Sequence, residues 1–345
     1  MTEREILPTV DGLLALVDAM AGKPVLMLVD LVADVFISGT PKRISREAPV
    51  LILSFEGERL TPGGGANAVA NVAALGGRPL PLGVVGDDLH GERLRDALAA
   101  LGVPDAGIVV RRGFRTPTKV RILGGGRNQV KQQIVRYDVE DKRELSGEEQ
   151  ERFGAALAGW RGAARAAIVS DYGYGAADPA LLAPLRAALA PGGTLVGDSR
   201  FRLSAFAGLD GATPNEEEAE ALLGARLADD LGLLERSCRG LLGRLGVRFL
   251  LLTRGSRGMS LFRDGSTAHL PVSGGDQVAD VTGAGDTVIG TFALALAAGA
   301  NPLEAALLSN YAGGVVVMKA GTATLTRDEL RRAIRADPRP LEGLR

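Results

Sequence analysis

Apolar residues form short uninterrupted runs along the chain, and segments with apolar residues at helical spacing follow most of them. The apolar runs, each predicting a buried strand, are residues 24–29, 82–85, 166–169, 194–196 and 249–252. The helical segments include residues 68–75, 147–164 and 178–190. Strands that alternate with helices predict a mostly parallel sheet. Because no repeat or long linker interrupts this pattern, we expect one α/β domain over residues 1–345.

Two stretches, at about residues 35–60 and 115–138, contain short β-type runs without helical period. The first predicts a small antiparallel flap that either closes over a substrate or simply covers a sheet edge, and the second predicts further short strands of the same lid. The second stretch is the most basic part of the chain, and strand alternation places Lys119 and Arg121 on one face. These charges, with Arg136, are either solvated or bind a phosphate.

Polar residues follow several of the predicted strands. Asp30 and Asp34 follow the first strand, Asp171 follows residues 166–169, and Asp198 and Arg200 follow residues 194–196. Open α/β sheets bind ligands beyond the carboxyl ends of their strands. We therefore expect these groups to converge on one rim.

The stretch from Asp280 to Thr287 contains two glycines and leads directly into the apolar run 288–298. A helix that begins at such a turn directs N–H groups and the positive end of its dipole at an anion. A carboxylate there, Asp286, suits the removal of a proton from a hydroxyl that attacks phosphorus. Taken alone, the stretch is equally compatible with a helix cap.

Composition excludes several classes of protein. Forty Lys and Arg residues against 41 Asp and Glu leave a net charge of −1, which does not indicate a nucleic-acid partner. Cys238 is the only cysteine, which excludes a disulfide framework and predicts a reducing cytoplasm. Residues 10–20 predict an amphipathic helix instead of a signal peptide, and no apolar run reaches the length of a membrane span.

Three motifs together resemble the ribokinase family of sugar kinases, also called the PfkB family, and they occur in the family's order. They are Gly63-Gly64-Gly65-Ala66-Asn67, Asn215-Glu216-Glu217-Glu218, and Asp280-Val281-Thr282-Gly283-Ala284-Gly285-Asp286-Thr287. A closer resemblance, to the kinase part of the bacterial enzymes that make ADP-heptose, covers residues 43–50, 118–121, 170–172 and 281–290. The family is expected to have a three-layer αβα sandwich with a mostly parallel central sheet and a small β-lid.

The resemblance implies an ATP-dependent sugar kinase that uses Mg²⁺, and it assigns roles to residues. The catalytic base is Asp286, and the anion hole consists of the amides of Gly283, Ala284 and Gly285. The sugar-binding positions are Asp34, Gly64, Gly65 and Asn67, and further acceptor contacts are expected from Lys119, Arg121, Arg136 and Asp171. The nucleotide positions are Asn215, Thr253, Gly255, Ser256, Gly258 and Asn310. Asn215 and Glu218 would hold magnesium, through water, and Asp280 and Thr282 a monovalent cation such as K⁺.

The acceptor implied by the closer resemblance is heptose 7-phosphate, phosphorylated at carbon 1. Tyr174 and Arg200 stand where heptose kinases carry lysine, and arginine can replace lysine as an anion binder whereas tyrosine cannot. Another sugar, a sugar acid or a nucleoside is therefore the alternative acceptor, and a catalytically silent binding protein is the alternative function. We expect the kinase part alone, without a nucleotidyltransferase domain, and a homodimer formed through the flaps.

Overall fold

The computed structural model describes residues 7–126, 131–227, 230–275 and 278–344. The predicted flap segment 115–138 includes residues 127–130, among them Arg127, which lie outside the described residues.

Strands and helices alternate through most of the chain, as expected. The strands are β1 Pro24–Val29, β2 Leu31–Ile44, β3 Leu51–Gly64, β4 Arg78–Gly86, β5 Ile108–Arg111, β6 Thr118–Gly124, β7 Gln132–Val139, β8 Ala166–Asp171, β9 Thr194–Ser199, β10 Gly211–Ala212, β11 Phe249–Thr253, β12 Met259–Arg263 and β13 Ser266–Leu270. The helices are α1 Val10–Ala19, α2 Gly65–Ala74, α3 Leu89–Ala100, α4 Gly147–Gly159, α5 Leu182–Ala188, α6 Glu216–Leu223, α7 Leu231–Leu245, α8 Ala284–Ala297, α9 Pro302–Val316, α10 Arg327–Ala336 and α11 Arg339–Glu342.

The central sheet has nine strands in the order β13-β12-β11-β10-β9-β8-β1-β4-β5. All pairings from β11 to β5 are parallel, and β12 and β13 add antiparallel at one edge. Successive side chains of β1 enter two different cores: Val25 and Met27 belong to one, Leu26 and Leu28 to the other. Helices α1, α2, α3, α8, α9 and α10 cover the first face, and α4 to α7 cover the second. The predicted αβα sandwich is therefore confirmed.

The flap is a separate four-stranded sheet in the order β3-β2-β6-β7. β2 pairs antiparallel with β3 and β6 antiparallel with β7, but β2 and β6 run parallel. The antiparallel flap expected from residues 35–60 is the β2–β3 hairpin, and the β6–β7 hairpin, which comes from a separate part of the chain, joins it through the parallel pairing of β2 with β6. We call this sheet the lid.

Two helices begin earlier than the apolar pattern predicted. α2 begins at Gly65 and α8 at Ala284, so glycine motifs that looked like loops supply the first turns of helices. Asp337 ends α10, and α11 follows at Arg339–Glu342. The Asp337 side chain accepts hydrogen bonds from Ser273 and Gly274, and Tyr311 donates to its carbonyl oxygen at 2.8 Å. None of the described helices is long and apolar enough to cross a membrane.

Candidate active site

A cleft of about 720 Å³ lies between the lid and the carboxyl ends of the central strands. This volume is within the usual range for small-molecule sites. Predicted site residues that line it are Asp34, Gly64, Lys119, Arg121, Arg136, Asp171, Asn215, Glu218, Thr253, Thr282, Gly283, Gly285 and Asp286. The topology therefore brings together residues that are far apart in the sequence, at the rim where open α/β sheets bind ligands.

Asp286 lies in the first turn of α8, whose N-terminus opens into the cleft. Gly283 precedes the helix with a φ of +77°, a left-handed conformation that favours glycine. Asp286 is only 3% exposed, and burial raises its pKa to about 7, although hydrogen bonds from Tyr172 and Asn67 act in the opposite direction. A carboxylate with a pKa near neutrality is suited to general-base catalysis.

The three amides of the expected anion hole do not all face the cleft. Gly283 and Gly285 line it, whereas Ala284 does not, and the Ala284 N–H donates to the Val281 carbonyl at 3.2 Å. The amide of Ala284 is therefore used to close the turn in this conformation. The positive end of the helix dipole, beside Gly283 and Gly285, makes this part of the cleft favourable for an anion.

Asn67 has a different place from the one expected of a sugar-binding residue. It is 1% exposed, and its Nδ2 donates to the Gly283 carbonyl at 3.1 Å and to Asp286 Oδ2 at 3.4 Å. Its Oδ1 accepts from Asn71 at 3.1 Å. Asn67 therefore ties α2 to the turn before α8 instead of lining the cleft. Gly65, also outside the cleft, allows close packing, since a β-carbon there would lie 2.6 Å from that of Val29.

Asp34 on β2 is fixed by two partners. Arg121 on β6 donates to its Oδ1 at 2.5 Å, and the Thr322 hydroxyl donates to its Oδ2 at 2.6 Å. Arg121 is 7% exposed, so this ion pair is buried at the wall of the cleft. The prediction that Lys119 and Arg121 share a face is met, but both are largely buried, which argues against ordinary solvated strand charges.

Lys119, Arg136 and Arg200 lie close together beside this pair. Asp138 accepts two hydrogen bonds from Arg136, each at 2.8 Å, and lies 3.6 Å from Lys119 Nζ. Burial lowers the pKa of Lys119, and the charges of Arg136 and Arg200 lower it further, whereas Asp138 raises it. The cleft thus has a cationic wall, defined by Lys119, Arg121, Arg136 and Arg200.

Carboxylates also line the cleft, and the charge of Arg200 acts on one of them, Glu218. Asn215 caps α6, and Asn215 and Glu218 exchange hydrogen bonds of 2.9 and 3.0 Å between side chains and backbone. Nearby, Asp198 Oδ1 and Thr213 Oγ1 are buried without a hydrogen-bond partner. Burial and the charge of Glu218 raise the pKa of Asp198, and burial raises that of Glu218. Orphaned buried oxygens of this kind indicate a place for a cation or its waters.

The carboxylate of Asp171, which was expected to contact the acceptor, accepts hydrogen bonds from other groups of the protein. Its carboxylate accepts from Arg202 at 2.9 Å, from Ser199 at 2.6 Å and from the Gly173 N–H at 3.2 Å. Asp171 is 2% exposed and holds the loops after β8 and β9 together. Asp171 therefore shapes the nearby rim of the cleft by holding these loops in place.

The expected nucleotide positions divide into two groups. Thr253 lines the cleft and pairs with Asn215 through an isolated β-bridge. Gly255, Ser256, Gly258 and Asn310 lie outside the cleft. Asn310 Nδ2 donates to the Pro271 carbonyl at 2.7 Å, and a β-carbon at Gly258 would lie 2.1 Å from the Leu270 carbonyl. Gly258 and Asn310 therefore meet at residues 270–271, beside the cleft.

Sequence reasoning did not assign roles to several residues that line the cleft. The most significant is Tyr172, whose hydroxyl donates to Asp286 at 2.8 Å. Phe201 is 71% exposed at the mouth, with the Arg200 guanidinium 5.6 Å from its ring centre. Position directly after a strand was the available signal for Tyr172, Asp198 and Arg200, but it did not show which side chains turn inward. Among the described residues no group of three or more His, Cys, Asp or Glu has metal-binding geometry.

Similarity to known proteins extends over most of the chain. Residues 26–329 match the model of the pfkB family carbohydrate kinases. The chain is 39% identical over 334 residues to the bifunctional protein HldE of Mesorhizobium japonicum, covering 95% of this chain and 65% of that protein. It is also 39% identical over 328 residues to the bifunctional protein HldE of Caulobacter vibrioides, covering 93% of this chain and 65% of that protein. The chain thus spans less than two thirds of the length of these relatives.

Solved structures show the same fold. The structure of Arabidopsis thaliana ribokinase complexed with ribose and ATP has a TM-score of 0.71 and 20% identity, covering 91% of this chain and 99% of that one. Phosphofructokinase-2 from Escherichia coli in complex with substrates and products has a TM-score of 0.71 and 18% identity, covering 92% and 99%. Because residues 26–329 match the family model, this chain belongs to the pfkB family of carbohydrate kinases.

Proposed function

We propose that this kinase transfers the γ-phosphoryl group of ATP to a hydroxyl of a phosphorylated sugar. The observation that carries the proposal is the placement of Asp286 at the N-terminus of α8, in one cleft with the cationic wall. A base, an anion-binding helix end and a second anion-binding surface are what transfer between two phosphate-bearing substrates requires.

In this reaction Asp286 accepts the proton of the attacking hydroxyl as the new O–P bond forms and the bond to the ADP oxygen breaks. The helix end and the Gly283 and Gly285 positions stabilise the negative charge on the transferred group. The lid, which carries Asp34, Lys119 and Arg121, excludes water from the cleft. Because the cleft lies beside Gly258 and Asn310, the nucleotide base is proposed to reach residues 270–271.

The carboxylates that line the cleft fit magnesium bound with ATP. Glu218, Asn215, Asp198 and Thr213 would hold the ion, mainly through its waters, since magnesium retains several of them. The bound ion would neutralise charge on the phosphates of ATP. It would also reverse the effect of burial on Asp198 and Glu218, because a nearby cation favours the ionised forms.

The charge of the cationic wall supports an acceptor that already carries a phosphate. Asp34 and Asp138 neutralise two of the four cations of the wall, which leaves two positive charges facing the cleft. A phosphate monoester carries nearly two negative charges at neutral pH. A neutral sugar would supply no counter-charge for these cations.

Heptose 7-phosphate, phosphorylated at carbon 1, is the acceptor we propose. The support is the similarity to proteins named HldE together with this wall, in which Arg200 supplies the charge absent at Tyr174. Another phosphorylated sugar is the competing acceptor, because Tyr174 instead binds Lys119 and Glu140, at 3.4 and 3.3 Å. We propose a cytoplasmic setting, where ATP is available.

The role of Asp286 is tested with Asp286→Asn, which keeps the shape of the side chain. We expect kcat to fall on the order of 10²–10⁴, with ATP binding measured by calorimetry unchanged. Near-native turnover in this variant would refute the role of Asp286 as the base.

The acceptor phosphate is tested with Lys119→Ala and Arg136→Ala, and with Lys142→Ala as the matched control. Lys142 is an exposed lysine after the lid that pairs with Glu140. For sugar phosphates we expect KM to rise about 10- to 150-fold in the first two variants, from the loss of a charged hydrogen bond. Equal effects on neutral sugars and sugar phosphates would contradict the proposal.

We also propose that the chain forms a homodimer through the lid. β3 and β7 are the edges of the lid sheet, and Phe55 on β3 and Ile134 on β7 are 69% and 45% exposed. A second copy would remove such apolar surface from water. Phe55→Lys should yield a monomer by solution mass measurement, whereas Leu101→Lys, at the exposed end of α3, should not. A wild-type monomer at micromolar concentration would contradict this.

A monovalent cation at Asp280 and Thr282 is a further part of the proposal. Asp280 accepts from the Thr282 N–H at 2.9 Å and from the Gly321 N–H at 3.0 Å, so the carboxylate already fixes the turn before α8. Its remaining lone pairs would face the cation. Replacing K⁺ by tetramethylammonium should lower kcat, and an unchanged kcat would exclude the site.

A further inference from the structure

Tyr172, the residue after β8, contacts the catalytic base directly. Its hydroxyl donates to Asp286 Oδ1 at 2.8 Å, while Asn67 Nδ2 donates to Oδ2 at 3.4 Å. The two donors come from different elements, since Asn67 belongs to α2 and Tyr172 follows β8. Each carboxylate oxygen therefore has a separate partner on a separate element.

Tyr172 itself is held by buried groups. Its N–H donates to Asp30 Oδ2 at 2.9 Å, and Asp30, 1% exposed, also accepts from the N–H groups of Tyr174 and Ala176 at 2.9 Å. The ring packs against Gly64, where a β-carbon would lie only 3.3 Å from ring atom Cε2. Asp30 thus holds the loop after β8 through the backbone N–H groups of that loop, and Gly64 leaves room for the Tyr172 ring.

We propose that Tyr172 is a positioning residue for Asp286, holding its carboxylate in one orientation toward the acceptor hydroxyl. The inference rests on the proposed function, in which Asp286 is the base. A carboxylate that accepts directional hydrogen bonds at both oxygens cannot rotate about its terminal bond. Misplacement of a reacting group by about 1 Å costs on the order of 10²-fold in rate, so this constraint matters for turnover.

The same hydrogen bond keeps the base ionised. Burial raises the pKa of Asp286 to about 7, and the charges of Asp34 and Glu218 act in the same direction, as does the neighbouring Asp198. The hydrogen bonds from Tyr172 and Asn67 favour the ionised form and lower the pKa. Loss of the phenol hydroxyl should therefore raise the pKa of Asp286 and reduce the ionised fraction at neutral pH.

The test is Tyr172→Phe, with kcat and acceptor KM measured from pH 5.5 to 9.5 at saturating ATP and magnesium. We expect the acid limb to move upward by about one pH unit from the wild-type pKa of about 7, so that kcat falls about fivefold at pH 7 and recovers at high pH. Acceptor KM should change less than about twofold, because the phenol binds the base and not the substrate. Tyr311→Phe is the control, since it loses an equally short hydrogen bond, of 2.8 Å, outside the cleft.

A second readout does not depend on turnover. Infrared difference spectroscopy follows the carboxyl band of Asp286, assigned by its loss in Asp286→Asn, and should show the same upward shift in Tyr172→Phe. An unmoved midpoint in both measurements would overturn the inference, even if kcat fell uniformly, because a merely structural role lowers activity at every pH. If the wild-type protein phosphorylated no acceptor, the proposed function would fail, but the infrared titration would still decide the role of Tyr172.

Discussion

Gly283→Ala adds a single methyl group to the turn before α8. Gly283 has a φ of +77°, and a β-carbon there would lie 2.5 Å from Asn67 Nδ2 and 2.9 Å from a Thr322 methyl. The left-handed conformation costs about 1–2 kcal/mol for a residue with a β-carbon. Overpacking against the two buried neighbours adds about 1–3 kcal/mol. We therefore expect the free energy of unfolding to fall by about 2–5 kcal/mol.

Gly102→Ala separates these two costs. Gly102 has a nearly equal φ, of +74°, but a β-carbon there would have nothing within 4 Å. Urea unfolding of both variants should therefore show the backbone cost in each and the packing cost only at Gly283. Turnover should fall about 10²-fold in Gly283→Ala alone, because Asn67 must move and the start of α8 with it. Equal stability of the two variants, or native turnover in Gly283→Ala, would refute this account of the turn.

Three further predictions concern buried charges. The folded-state pKa of Asp286, about 7, exceeds its ordinary value of 3.8, so its contribution to stability is present at low pH and lost as pH rises to 7. The free energy of unfolding of Asp286→Asn, measured in urea relative to wild type, should therefore rise by about 2–3 kcal/mol from pH 5 to pH 8. A difference between the two proteins that stays constant over this range would contradict the prediction. Asp30→Asn should lower the free energy of unfolding by about 1–3 kcal/mol in the same assay, because one carbonyl oxygen cannot accept hydrogen bonds from all the N–H groups that Asp30 binds. An unchanged free energy of unfolding would show that Asp30 does not anchor the loop after β8. Arg111→Met should lower the free energy of unfolding by about 3–5 kcal/mol, because Glu149, which accepts from Arg111 at 2.6 and 2.7 Å, would remain buried without its cation. The double variant Arg111→Met, Glu149→Gln should recover part of this loss.

Local sequence determined much of the architecture. The apolar run at residues 24–29 and those that follow predicted the central strands, and helical spacing predicted their crossover helices. Glycine motifs marked the turns at Gly63 and Gly283, because few other residues tolerate the conformations and close approaches found there. These features depend on neighbouring residues, so they are readable without a structure.

The start of a helix was harder to predict. Gly65 and Ala284 open helices that apolar spacing placed several residues later, because an N-terminal turn without apolar side chains has no periodic signal. The parallel pairing of β2 with β6 likewise could not be predicted from local sequence, since residues 31–44 and 118–124 are far apart in the chain and meet only in the folded protein.

For the candidate site, the sequence by itself determined which residue types are present and that Asp286 follows a glycine-rich turn at the start of an apolar helix. Only the tertiary structure decided that Asn67 and Asp171 bind other protein groups, while Tyr172 donates a hydrogen bond to Asp286. The physical reason is that a carboxylate or amide acquires its role from the partners that surround it. Those partners come from different strands and helices, and the order of residues along the chain does not specify which of them meet.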